Sequence, residues 1–111
     1  MKHEMKLNHR PFCLIRSGIK TIEMRLCDRK RAAIEIGDII EFSHRENGEK
    51  LLTRVVNLTK FKNFIELYSH FDKSILGYRY NEEAKPEDMS RYYSEKEIND
   101  YGALAIEIEL I

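Results

Sequence analysis

Residues 39–58, IIEFSHRENGEKLLTRVVNL, decide how this chain is built. Gly37-Asp38 turns the chain into Ile39-Ile40-Glu41-Phe42, a strand, and Asn47-Gly48 marks the turn of a hairpin. A longer strand then runs from about Lys50 to Leu58. Two consecutive strands thus meet through a hairpin, whereas parallel neighbours need a long crossover between them. Repeated strand–helix–strand units do not describe such a chain.

Upstream, Met1 to Leu7 sets His3, Met5 and Leu7 against Lys2, Glu4 and Lys6, the alternation of a strand with one buried face. Asn8 offers a cap and Pro11 fits a first helical turn, so Arg10 to Ser17 reads as a short helix burying Phe12, Leu14 and Ile15. Gly18 ends it and opens GIKTIEMR, Gly18 to Arg25, a strand with Ile22, Met24 and Leu26 on one side and Thr21, Glu23 and Arg25 on the other. The charged segment from Cys27 to Asp38 reads as a loop with one helical turn around Arg29 to Ala32.

Downstream of the hairpin the apolar period changes. Phe61, Phe64, Ile65 and Tyr68 have helical spacing behind Thr59 as a cap, and Phe71, Ile75 and Leu76 carry a further turn to Gly77. Gly77 to Lys85 is a polar surface loop, and Pro86 begins a helix through Met89 toward Tyr93. Ser94 and Glu97 match a capping box, starting a helix at Glu95 that finishes near Gly102. Leu104, Ile106, Ile108 and Leu110 then alternate with Ala103, Ala105, Glu107 and Glu109 as a closing strand. The order implies an α+β fold: a small, mostly antiparallel barrel or curled sheet with short flanking helices, one domain over residues 1–111.

Composition agrees. With 111 residues, 42% hydrophobic and 34% charged, two prolines and five glycines, the chain is of globular and not disordered type. A chain of this length buries roughly two-thirds of its unfolded surface. No apolar run approaches the ~20 residues of a membrane helix, and MKHEMKL is no secretory signal, so a cytoplasmic location with reduced Cys13 and Cys27 is expected. Net charge is zero, which argues against coating nucleic acid by bulk electrostatics. Its distribution is uneven: residues 1–31 hold nine Lys/Arg against three Asp/Glu, and residues 32–111 hold ten against sixteen. A basic patch on an acidic body follows.

For chemistry, His3, His9, His44 and His70 fall on different elements and no pair has zinc-ligand spacing, so neither a metal nor another cofactor is called for. Phosphate-binding glycine loops and nucleophile elbows are absent from the sequence. Lys20, Glu23 and Arg25 are instead the parts of an anion-handling site. Glu23 and Arg25, about 7 Å apart along one strand face, can reach one ligand or one another. As a partly exposed ion pair they are worth under ~1 kcal/mol. Lys20, first after the turn, can curl over the barrel end, where desolvation makes its amine more reactive. Arg29, Lys30 and Arg31 are a solvated loop or a place for phosphates of a strand whose base enters the cleft. Among the tyrosines, Tyr68 has core spacing, while Tyr92, Tyr93 and Tyr101 frame the capped helix and serve packing or base stacking.

The pattern G-x-K-T-x-E-x-R, present as Gly18, Lys20, Thr21, Glu23 and Arg25, followed by Gly37-Asp38 and its strand, resembles the ASCH domain, named for activating signal cointegrator homology. Tyr92-Tyr93-Ser94 and the Tyr101 to Ile108 ending look like its small single-domain members. The resemblance implies a PUA-like β-barrel with the Lys/Glu/Arg motif in a cleft at one end. It further implies binding of RNA or a modified nucleoside at Lys20, Glu23 and Arg25, to which the residues themselves add Thr21, Arg29, Lys30, Arg31 and Tyr93 as ligand-binding candidates. A related branch hydrolyses 4-acetylcytidine with a lysine base and a threonine nucleophile three residues on. Lys20 matches that lysine, but Glu23 stands at the threonine's position. A small hydrolase using Lys20 and Glu23, acting on RNA as some family members do or on an acylated nucleoside such as 4-acetylcytidine, is therefore the alternative activity.

Overall fold

A computed structural model describes residues Met1–Ile111. Its centre is a five-stranded sheet in the order β1-β3-β4-β5-β2. The strands are β1 (Lys2–Leu7), β2 (Ile22–Leu26), β3 (Ile39–His44), β4 (Lys50–Phe61) and β5 (Ala103–Leu110). The hairpin pairs β3 with β4 antiparallel, Ile40 facing Thr53, and β4–β5 and β5–β2 are antiparallel as well. β1 lies parallel to β3, Met5 opposite Phe42, so the sheet is mixed. It curls into a half-barrel, its two ends being β1 and β2, and a register shift between Val55 and Asn57 adds to the bend of β4.

The helices are α1 (His9–Arg16), α2 (Arg29–Ala32), α3 (Phe64–His70), α4 (Lys73–Leu76) and α5 (Glu95–Tyr101), with a 3-10 helix over Pro86–Arg91. The Ser94/Glu97 capping box forms as read from the sequence. Three local expectations change. β4 runs on to Phe61, because Leu58 to Phe61 pair with Ile106 to Ala103. Helix α3 accordingly starts later, capped by the Asn63 side chain accepting from Glu66 N–H and not by Thr59. The helix begun by Pro86 is of the 3-10 type and ends at Arg91, short of Tyr93.

Two apolar clusters sandwich the sheet. Met5, Leu7, Phe12, Ile15, Ile40, Phe42, Val55, Leu104, Ile106 and Ile108 fill the α1 side, while Ile22, Phe64, Leu67, Leu76, Met89, Ala103 and Ala105 pack beneath α3, α4 and the 3-10 helix. β5 is thus buried on both faces through its first half, where alternation suggested one polar face. Its small Ala103 and Ala105 admit the second layer. Cys13 and Cys27 are unpaired.

Candidate functional site

Strand pairing dictates where the GIKTIEMR side chains go. Side chains of directly opposed residues share a sheet face, and Glu23 faces Ile106 while Arg25 faces Leu104. Both charged residues therefore point to the side of the main core, at the free edge of β2. Glu23 is only 6% exposed and is not half-solvated. Lys20 comes round from the end of the strand and is 5% exposed.

The three form one buried cluster. Glu23 Oε2 accepts from Arg25 Nε at 2.8 Å and lies 2.8 Å from Arg25 Nη2, while its Oε1 is 3.6 Å from Lys20 Nζ. Lys20 Nζ donates to the Leu76 carbonyl at the end of α4, 2.8 Å away. Arg25 Nη2 also donates to the Lys6 carbonyl of β1 at 3.0 Å. That last bond joins the two unpaired edges of the half-barrel. Two cations face one carboxylate, leaving one positive charge in excess. Burial pushes the Glu23 pKa up, but Arg25 and Lys20 outweigh it and hold the carboxylate below its usual range. For Lys20, burial dominates the attraction of Glu23, and its amine is pushed below the usual lysine range.

The cluster opens into a cleft of about 800 Å³ along the seam between β1 and β2. Lys6 to Asn8, Arg10 and Leu14 form one wall, and Tyr68, Leu76 to Tyr78 and the Asp88 to Tyr93 segment form the other. Arg10 Nη1 binds Glu82 at 2.8 Å and its Nη2 binds the Gly77 carbonyl at 3.2 Å, tying the 77–85 loop to α1. This hydrogen-bonded arginine draws the Glu82 pKa down to about 2. Tyr93 stacks against Phe64, centroids 6.0 Å apart and planes within 3°, and its neighbour Tyr92 is 57% exposed.

A family model described as the ASCH domain matches residues 5–111. The chain belongs to the ASCH family. Hypothetical protein PH0355, in its crystal structure, is 34% identical over 100% of both chains with a TM-score of 0.84. Protein PF0455 from Pyrococcus furiosus, solved by solution NMR, is 34% identical over 100% of this chain and 98% of its own, TM-score 0.72. A serine-to-alanine mutant of ZmASCH from Zymomonas mobilis shares the fold at 14% identity, TM-score 0.67, covering 97% of this chain and 67% of its own. No curated protein matches the sequence.

Within this ASCH domain, Lys20, Glu23, Arg25, Arg31 and Tyr93 all line the cleft. Thr21, Arg29 and Lys30 do not. Thr21 spends its backbone N–H on the Ile75 carbonyl and its own carbonyl on Ile108 N–H, while Arg29 and Lys30 stand exposed on α2. Arg31 pairs with Asp28 at 2.7 Å, yet its Nε is buried without a hydrogen-bond partner.

The cleft also gathers Lys6, Arg10, Arg45 and Arg91, which sequence reasoning does not single out as a site, together with Tyr68, Tyr78 and Tyr92. Arg45 and Arg91 are lone charges just past β3 and at the end of the 3-10 helix, and no local pattern marks them. The fold brings His9 of α1 and His44 of β3 to 2.9 Å, and Cys13 Sγ, one turn along α1, lies 3.6 Å from His9. No group of three or more His, Cys, Asp or Glu is arranged to hold a metal ion. No helix is long and apolar enough to cross a membrane.

Proposed function

We propose that this ASCH domain binds RNA, seating one nucleotide of a single strand in the cleft between β1 and β2. The observation that carries the reading is charge: in a chain of zero net charge the cleft lining holds seven Lys/Arg against three Asp/Glu. Lys6, Arg45 and Arg91 make no ion pair, and Arg31 Nε lacks a partner. Uncompensated cations with unspent donors suit phosphate. Arg25, committed to Glu23 and Lys6, contributes field and shape, and the rim arginines bind the phosphates. The cleft's volume lies within the ~300–1,000 Å³ of small-ligand sites. Tyr92 offers an open ring on which a base can stack. Arg29 and Lys30, on the same short helix as Arg31, extend the cationic track outward. Residues 1–111 act as one domain in a cytoplasmic setting on this reading.

Fluorescence anisotropy with a labelled single-stranded RNA tests it. Arg45→Glu with Arg91→Glu should weaken binding at least tenfold and reduce the salt slope, by about 0.7 for each phosphate no longer neutralised. Equal affinity and slope in variant and wild type would sink the proposal.

Lys20 favours a second reading, hydrolysis of a modified nucleoside or of RNA. Burial lowers the pKa of the Lys20 amine and so eases its loss of a proton, whereas Glu23, held as a carboxylate by two cations, suits positioning better than acid catalysis. Mass spectrometry of RNA and 4-acetylcytidine incubated with wild type and Lys20→Met distinguishes the two. Product formed by wild type alone supports turnover, and no product from either leaves binding as the activity.

A further inference from the structure

Three side chains on the cleft wall form a hydrogen-bond chain whose direction is fixed by its end. Tyr78 Oη donates to Asp88 Oδ2 at 2.7 Å. A phenol has one proton, so Tyr78 can only accept from Tyr68 Oη, 2.8 Å away. Tyr68 thereby spends its own proton and keeps lone pairs only. Burial, first, and in Tyr78 the hydrogen bonds to its neighbours raise both phenol pKa values, so both phenols keep their protons. All three residues line the cleft.

Lys20 has the opposite character. Its ammonium is donor-only, and it is held by the Leu76 carbonyl, two residues before Tyr78. Gly77 between them lets the lysine stem pass close, since a Cβ there would lie 3.1 Å from Lys20 Cδ. A group that only accepts and a group that only donates thus flank the same short segment of wall.

Building on the nucleotide reading of the cleft, we infer that it selects a base carrying an exocyclic amino group. The amine donates to Tyr68 Oη, and Lys20 Nζ donates to an acceptor that the amino and keto bases share, the pyrimidine O2 or the purine N7. A base with a carbonyl in place of the amine sets lone pair against lone pair at Tyr68. Leaving a buried polar group unpaired costs enough to weaken binding roughly tenfold or more.

Calorimetric titration of the full chain with cytidine and uridine monophosphates, and with adenosine and inosine monophosphates, tests this, because each pair differs at the amine. Wild type should bind the amino member about tenfold more tightly. In Tyr68→Phe the preference should fall to within about twofold, with the keto member binding no worse than before. Asp88→Asn supplies a second variant: its amide can donate to Tyr78, reversing the chain and freeing the Tyr68 proton, so the preference should fall or invert. Melting curves confirm that each variant is folded. Equal binding of the two members by wild type, or an undiminished preference in both variants, overturns the inference while leaving the nucleotide reading intact. Binding of none of the four by wild type overturns both.

Discussion

Replacing Glu23 by Gln removes the only carboxylate from a buried cluster that already carries one positive charge in excess, leaving Lys20 and Arg25 to face each other. Removing one member of a buried ion pair typically costs about 3–5 kcal/mol, because the partner's charge stays desolvated. Glutamine keeps one oxygen for the Arg25 guanidinium, which places the loss toward the lower end, about 3 kcal/mol. For a domain near this size about 4 °C is lost per kcal/mol, so the melting temperature should drop by roughly 12 °C at pH 7.

The pH dependence carries the sign. Glu23 has a folded-state pKa below its unfolded value, so its stabilisation is fully present above the unfolded value and is lost as pH falls through the folded one. The gap between wild type and Glu23→Gln should therefore narrow on acidification below about pH 4. Urea melts of both proteins between pH 2 and 8 measure this directly. A loss under about 1 kcal/mol at neutral pH, with a gap independent of pH, would refute a buried, charge-balancing Glu23 and match the solvated ion pair instead.

Lys20 should show the opposite limb. Its folded-state pKa lies below the unfolded value, so the unfolded chain binds the extra proton and stability should rise with pH from the folded pKa toward about 10.4. Lys20→Met should flatten that rise in urea melts extended to about pH 11, beyond the unfolded value, and a rise that persists would show that another group causes it. Gly102→Ala should be among the most damaging single changes in the chain. Gly102 has φ of 80° and ψ of −179°, a region essentially confined to glycine, and an added Cβ would meet the Phe61 carbonyl oxygen at 2.7 Å. A loss of at least about 3 kcal/mol, or failure to fold, is expected, and a melting temperature within a few degrees of wild type would contradict the close approach.

Features signalled by neighbouring residues are legible in the amino-acid sequence itself. The Asn47-Gly48 hairpin, the Ser94/Glu97 capping box and the two-sided strand Ile22–Leu26 rest on turn chemistry, capping and period-2 alternation. The start of α3 departs from its apolar spacing because Phe61, at helical spacing from Phe64, pairs with Ala103 on a strand far away in sequence. The parallel β1–β3 pairing has no local signature for the same reason.

The site divides along the same line. Lys20, Glu23 and Arg25 stand out because they crowd one short strand. Their burial does not: Glu23 and Arg25 face apolar β5 residues, and Lys20 is covered by Leu76 and Gly77 at the end of α4. Arg45, Arg91 and Tyr68 belong to distant segments, and only the closing of the seam between β1 and β2 makes them neighbours of the motif. Arg29 and Lys30, the densest charge in the sequence, lie outside the cleft because Asp28 caps a helix that turns only Arg31 toward it.

The most direct test of the central claim is an NMR titration of isotopically labelled chain with single-stranded RNA. Amide shifts should concentrate at Lys6, Met24, Arg45, Arg91 and Tyr93, which line the seam. Shifts confined to the groove at Lys60, Lys62 and Asn99–Gly102, or no shifts at saturating RNA, would contradict it.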